Sequence, residues 1–337
     1  MKRKGIAAGG SWIVDKTIVI DDYPHQDGLC NILETSYSNG GAPYNVLKAI
    51  SKLGNDIPLT GIGLLGDDKD GQYILDDCRE HGINTQGIVS ESLQNSSYTL
   101  VMTSKKTGRR TFFHHRGTNS NLKIGHFNVD EIKCKILHLG YLLLLDNLDG
   151  FERSGRTRAS ILLENVRSLG IKTSVDLVSE INNRFQKIVP SSLPHIDYLF
   201  VNEYEACQIA FGRCENSQKK DIEHLVTTGK RIIDMGVNEF VIIHFPKGTI
   251  AVDKNGKVWK QGSVQLPKNL IKGSSGAGDA FAAGVLYGFH ENFIVQDALK
   301  LGVCVAAGAL RDFSSSNGIG NIKEMWGLGN RFGYYQT

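Results

Sequence analysis

The chain has 337 residues, and Lys plus Arg exceed Asp plus Glu by 38 − 35, a formal net charge of +3. That length buries a full core as one large α/β domain or two smaller ones, and a near-neutral balance without a long basic block gives no footing for nucleic acid or an anionic membrane surface. The cysteines Cys30, Cys78, Cys134, Cys207, Cys214 and Cys304 form no CxxC pair and sit mostly in apolar or helical patterns, which favours reduced structural thiols over disulfides or zinc ligands.

The basic head and short apolar run at the start outline a secretory leader, but Asp15 and Lys16 cut the run before such a leader is complete. The longest apolar run, Ile136 to Leu145, is too short to span a bilayer as a helix, so the expectation is a cytoplasmic protein without membrane contact. Residues 5–14 read as a first strand. Asp15 then falls at its carboxyl end, where an open α/β sheet receives ligands; the alternative is a plain turn residue. From Thr17 to Tyr37 the pieces TIVI and LCNILETSYS alternate as a small, one-side-exposed sheet does, a flap apart from the main domain.

In SNGGAPYNVLKAISKLG, Gly40 and Gly41 permit close backbone approach, Pro43 suits a first helical turn, and Val46, Leu47, Ile50 and Leu53 repeat at helical period. Asn45 on that opening turn is placed either to meet a ligand hydroxyl or simply to start the helix. The next stretch predicts strand, turn and a helix with Ile74, Leu75 and Cys78 inward and a stop at Gly82. YTLVMTS and RRTFFHHRG are two strands that extend the flap, joined through KKTG, the tip of the densest basic patch. Arg110, Phe112, His114, His115 and Arg116 border a ligand if the flap closes. Adjacent strand residues face opposite ways, which argues against a metal shared by His114 and His115.

From Ile136 onward strands and helices alternate: ILHLGYLLLL, ASILLENVRSLG, TSVDLV ending near Asp176, HIDYLFVN ending at Asn202, EYEACQIAFG, KKDIEHLVTTGKRIIDMG and EFVIIHFP. This rhythm predicts a doubly wound, mostly parallel sheet with helices on both faces. DAFAAGVLYGF and QDALKLGVCVAAGALRDF close the chain as two Ala- and Gly-rich helices that pack closely. In NEYE, Asn202 and Glu205 share one face at a strand end entering a helix, an arrangement suited to Mg²⁺ held largely through water.

The chain centres on KGSSGAGDAFAAG, residues 272–284. Gly276, Ala277 and Gly278 let an anion approach the unpaired N–H groups at a helix start. A carboxylate beside an anion site repels the ligand unless it has another task. Asp279 is therefore read as a general base for an incoming hydroxyl, while the amides hold charge developing on a transferred phosphoryl group; the alternative is an acid offsetting the helix dipole. A dinucleotide fingerprint fits poorly, because no strand leads directly into the glycines, and a Walker loop is excluded for want of GxxxxGK followed by Ser or Thr.

In this order the pieces resemble the ribokinase-type, or pfkB, carbohydrate kinase family over nearly the whole chain, which implies a ribokinase-like α/β fold with a β lid from about residues 17–37 and 97–116. GGSWIVD resembles the family's first strand and acceptor-binding acid, Asp15. GGAPYN resembles its GGAxxN signature, which implies acceptor contacts from Gly40, Gly41 and Asn45, with Arg116 reaching in from the lid. NEYE resembles the NxxE motif that organises Mg²⁺ and nucleotide through Asn202 and Glu205. GAGDAFAAG resembles the carboxy-terminal signature, with Asp279 as base and Gly276, Ala277 and Gly278 as anion hole. Nucleotide contacts are further implied for His244, Lys247, Gly248 and Asn317.

Three departures narrow the reading. Gly273, Ser274 and Ser275 stand where many members carry the acid tied to monovalent-cation activation, so the resemblance gives no support for K⁺. His244, Phe245 and Pro246 replace a usual Thr-x-Gly facing the nucleotide. Ala42 and Pro43 replace the Lys-Gly of ribokinases proper and point to fructokinase and ketodeoxygluconate kinase relatives. The expected activity is ATP- and Mg²⁺-dependent phosphorylation of a sugar or sugar acid; a nucleoside kinase and a non-catalytic sensor remain alternatives. The edge strands of the lid offer pairing either to a second copy, giving a homodimer, or to the rest of the same chain.

Overall fold

Ile6, Ala7, Ala8, Gly9 and Gly10 are all buried, so this strand belongs in the middle of a sheet covered on both faces. The computed structural model describes residues 3–54, 57–180, 184–212 and 221–337; Cys214 lies outside them. The elements run β1 (Ile6–Gly10), β2 (Ile13–Ile20), β3 (Ile32–Gly40), α1 (Ala42–Leu53), β4 (Leu59–Gly66), α2 (Lys69–Glu80), β5 (Ile83–Glu91), β6 (Tyr98–Ser104), β7 (Arg110–His115), β8 (Ile136–Leu142), α3 (Asp146–Asp149) and α4 (Arg158–Ser168). There follow β9 (Lys172–Leu177), α5 (Phe185–Ile188), β10 (Tyr198–Asn202), α6 (Glu203–Phe211), α7 (Ile222–Asp234), β11 (Phe240–Phe245), β12 (Gly248–Asp253), β13 (Val258–Gly262), α8 (Ala277–His290), α9 (Val295–Ala309) and α10 (Ile322–Phe332).

Nine strands form the large sheet in the order β13-β12-β11-β10-β9-β8-β1-β4-β5. Every pairing from β5 to β11 is parallel, and β12 and β13 close that edge antiparallel. Alternation along each strand divides the core. Ile6, Ala8, Tyr198 and Phe200 face α1, α8 and α9, whereas Ala7, Leu199 and Val201 face α4, α6 and α7. The expected doubly wound architecture is thus present. Helices α8 and α9 cross closely, a Cβ on Gly284 lying 2.8 Å from Gly302 Cα, but they do not close the chain as expected: α10 follows and packs against α9. No helix of the described residues is long and apolar enough to cross a membrane.

The first strand differs from the expectation. Residues 5–14 are two strands in two sheets: β1 lies in the large sheet and β2 in a second, four-stranded sheet of order β3-β2-β6-β7. Gly10 makes the break, with φ 130° and its Cα set too tightly against the Gly140 carbonyl for any side chain. Trp12, fully buried, anchors the crossing by donating its indole N–H to Ile62 O at 2.8 Å. Asp15 is therefore a residue of the small sheet, opposite Ser38 and Thr99. It does not end a strand of the large one. The small sheet begins at Ile13, four residues before the expected boundary, because Ile13 and Val14 are both buried and continue the apolar run of β1 into β2. Lys16 ties it to α2 through Asp70 at 2.7 Å.

Candidate active site

Asp279 occupies the first turn of α8 and is only 4% exposed. Tyr141 from the end of β8 directs its hydroxyl at both carboxylate oxygens, 3.0 Å from Oδ1 and 2.8 Å from Oδ2, and Asn45 Nδ2 donates to Oδ2 at 2.7 Å. The Asn45 amide cannot turn freely, since its oxygen accepts from Ser315 Oγ at 2.6 Å. Burial pushes Asp279 up to about 6, with the two donors opposing the rise. A carboxylate titrating there is largely ionised at neutral pH yet basic enough to accept a hydroxyl proton.

Gly276 begins this helix at φ 69°, and no side chain among the described residues caps it. A side chain at Gly276 would overlap Ser315 Cβ, with Ser315 Cα at 3.0 Å. The Ala277 N–H reaches Ser274 O at 3.4 Å, and the first turn carries the helix dipole's positive end beside Asp279. The glycine-rich turn and the acid are brought together as the sequence predicts, and the absence of a strand before them removes the dinucleotide reading: residues 268–270 form only a short 3-10 turn.

Asp15 reaches this centre from the small sheet. Burial pushes it up to about 7, the Thr99 hydroxyl opposing, the Asp279 charge adding, and the Arg110 guanidinium opposing again. Gly40 serves Asp15 directly, because a Cβ there would lie 2.5 Å from Asp15 Oδ2. Gly41, at φ 87°, makes the turn into α1. The lid arginine at this site is Arg110, which donates to Ser274 Oγ at 2.7 Å and so bridges β7 to the glycine-rich turn. Arg116 instead pairs with Asp146 at 2.9 Å and donates to Leu143 O at 3.3 Å. His114 bonds Thr99 Oγ1 at 3.0 Å, and burial pushes it down to about 4. No cluster of metal-ligating side chains is found among the described residues.

Asn202 and Glu205 form a reciprocal capping box at the start of α6: Asn202 Oδ1 accepts from the Glu205 N–H at 2.9 Å, and Glu205 Oε2 accepts from the Asn202 N–H at 2.9 Å. Ser179 links the pair, donating to Glu205 Oε1 at 2.8 Å and accepting from Asn202 Nδ2 at 2.9 Å. Burial raises Glu205 to about 7. Hydrogen bonds from Asn202 and Ser179 oppose that rise. The motif thus has a structural purpose, the capping box that N-x-x-E spacing at a helix start signals.

The remaining nucleotide candidates differ in setting. His244 is half-buried against the Phe281 ring, a Cβ on Gly278 would meet its Cε1 at 3.3 Å, and burial pushes it down to about 4. Lys247 is exposed in the β11–β12 turn. At Gly248 a side chain would collide with Gln261 O at 2.6 Å, which explains the glycine by strand packing. Asn317 is exposed, its N–H on Ser314 Oγ at 3.0 Å and its carbonyl on Lys52 Nζ at 3.1 Å. Sequence reasoning missed Tyr141, Ser315 and Asp176. Asp176, at the end of β9, is raised well above the usual carboxylate range by burial and then by the charges of Asp279 and Glu205. Its place at a strand end was a signal; Tyr141 sat in an apolar run that read as core.

A buried acid at an uncapped helix start, at the carboxyl ends of a parallel sheet and beneath a small second sheet, defines an α/β kinase of small hydroxylated acceptors. The chain belongs to the pfkB family of carbohydrate kinases, whose model it matches over residues 12–320. It is similar to a 5-dehydro-2-deoxygluconokinase of Geobacillus kaustophilus, 23% identical over 295 residues that cover 85% of this chain and 83% of the relative. It is 22% identical to adenosine kinase 2 of Arabidopsis thaliana over 84% of this chain and 81% of that one. The ribokinase-like fold is shown by the Arabidopsis thaliana ribokinase solved with ribose and ATP, which superposes with a TM-score of 0.79 at 18% identity over 97% of this chain and 99% of the other.

Proposed function

We propose that this sugar kinase transfers the γ-phosphoryl group of ATP to a hydroxyl of a sugar or sugar acid, with Asp279 as general base. The observation that carries the reading is the pairing of a buried, hydrogen-bonded Asp279 with the first-turn amides of its own helix. Asp15 orients the acceptor, with Gly40 leaving it room and Gly41 turning the chain into α1 behind it. Asn45 acts on the base, and its remaining reach toward the acceptor is secondary. Arg110, held on Ser274 and bearing its charge on Asp15, is placed to meet an acceptor's acid group or the transferred phosphoryl. The acceptor proton passes to Asp279 as the phosphoryl arrives in line, while the Gly276–Gly278 amides accept the charge.

Asn202 and Glu205, joined in the capping box, are the residues that would hold Mg²⁺ through water, and the ion would supply charge neutralisation at the phosphates. His244, Lys247, Gly248 and Asn317 border the nucleotide end. The exposed edge of β3 supports a homodimer through the lid.

ADP release from Mg·ATP is measured against hexoses, pentoses, sugar acids and nucleosides, with Asp279→Asn as control. Turnover with a sugar or sugar acid, lowered about 10²–10⁴-fold in the variant, is expected. A variant retaining more than a tenth of the rate removes Asp279 from the role, and turnover with nucleosides alone transfers the chain to the adenosine kinase branch.

A further inference from the structure

We propose that Tyr141, together with Ser315 acting through Asn45, is a positioning group that keeps the Asp279 carboxylate ionised and aimed inside an acid-lined pocket. The inference deepens the general-base reading and rests on it. No motif singled out Tyr141 or Ser315. They come from two separate segments, the end of β8 and the loop before α10, and converge with α1 on one carboxylate.

The electrostatic setting makes donors necessary. Asp15 faces Asp279 from β2, Asp176 from β9 and Glu205 from α6, and each of these acids is itself raised by burial and by the Asp279 charge. His244 of β11 lies against the helix start but is held neutral by burial. Arg110 bears on Asp15 and is committed to Ser274. Among the described residues the side-chain partners of Asp279 are neutral donors: the Tyr141 hydroxyl, within reach of both carboxylate oxygens, and the Asn45 amide. Burial and the surrounding acids push Tyr141 far above its ordinary range, so it stays a donor across the working pH range. Ser315 fixes which way Asn45 faces. With the serine proton on Asn45 Oδ1, the NH₂ must point at Asp279; without it, the amide is free to turn its oxygen toward a carboxylate.

Hydrogen bonds that favour the ionised form lower a carboxyl pKa, and their loss raises it. Tyr141→Phe keeps the ring and removes one charged-group hydrogen bond, so the Asp279 pKa is expected to rise by about one to two units. The acid limb of the kcat/KM profile moves up with it. The rate at pH 7 falls about 2–10-fold and recovers at higher pH. Ser315→Ala moves the limb in the same direction, and Ser315→Thr restores it.

The ionisation of Asp279 is followed independently of turnover by ¹³C NMR of labelled aspartate, with Asp279→Asn assigning the signal. A Tyr141→Phe protein whose Asp279 titration and acid limb stay within 0.3 of the parent, roughly the resolution of such a titration, overturns the proposal. So does a uniform rate loss at every pH. If Asp279→Asn keeps its activity, the base reading fails instead, whatever the tyrosine does to the titration.

Discussion

Gly276→Ala tests the claim that the glycine-rich turn and the base-holding network are one packed unit. Gly276 stands at φ 69°, where an L side chain costs about 1–2 kcal/mol. Its new Cβ would overlap the Cβ of buried Ser315, with Cα at 3.0 Å and O at 3.2 Å, backbone atoms that cannot swing aside. Overpacking of this kind adds about 1–3 kcal/mol. Together these give a loss of about 2–5 kcal/mol in denaturant unfolding. If the loop yields instead, Ser315 moves off Asn45, the first-turn amides shift by about an ångström, and the rate falls about 10²-fold. Gly278→Ala is the control. Its φ is not left-handed, and its Cβ would meet only the His244 ring, at 3.3 Å and 3.5 Å, so stability changes by less than about 1 kcal/mol. Urea unfolding and ADP release on both variants decide the matter. A Gly276→Ala enzyme as stable as Gly278→Ala, with more than a tenth of the parent rate, refutes the reasoning.

Two further predictions concern the motif at α6 and the lid. Asn202→Ala loses the helix cap and about 1 kcal/mol of stability, which Asn202→Ser restores; the Mg²⁺ concentration for half-maximal rate rises in both, and an unchanged Mg²⁺ dependence would leave Asn202 as a cap alone. The outer strand β3 exposes Ile32 at 62% and Tyr37 at 60%, an unpaired apolar edge. Sedimentation of the parent at twice its chain mass is expected, with Ile32→Lys and Tyr37→Glu together giving monomers. A parent that sediments as a monomer ends the dimer proposal.

How much of this was legible varied with how local the cause was. Helix α8 and its glycine turn could be read directly, because a left-handed glycine, unpaired amides and a first-turn acid are consequences of neighbouring residues. The alternating strands and helices after Ile136 announced a parallel sheet for the same reason. The break between β1 and β2 was not legible. It depends on Gly10 touching Gly140 and on Trp12 filling the space over Gly61 and Gly63, contacts across 49 residues or more of chain.

At the site itself, residue types were set by local sequence and partners were set by topology. Asp279, Asn45 and Asp15 stood out in their motifs, but that Asn45 serves the base and that Arg110 rather than Arg116 bonds Ser274 follow from packing, whereas the capping box in NEYE is local and was open to reading from its spacing. Tyr141 shows the limit most clearly. In sequence it is one residue in an apolar strand, 138 positions from Asp279. The sequence by itself determined which backbone segments could bind an anion and present an acid, since those depend on φ, helix termini and side-chain type. Only the tertiary structure decided which donors stabilise that acid, because the energy of a buried charge depends on neighbours that distant elements bring within 3 Å.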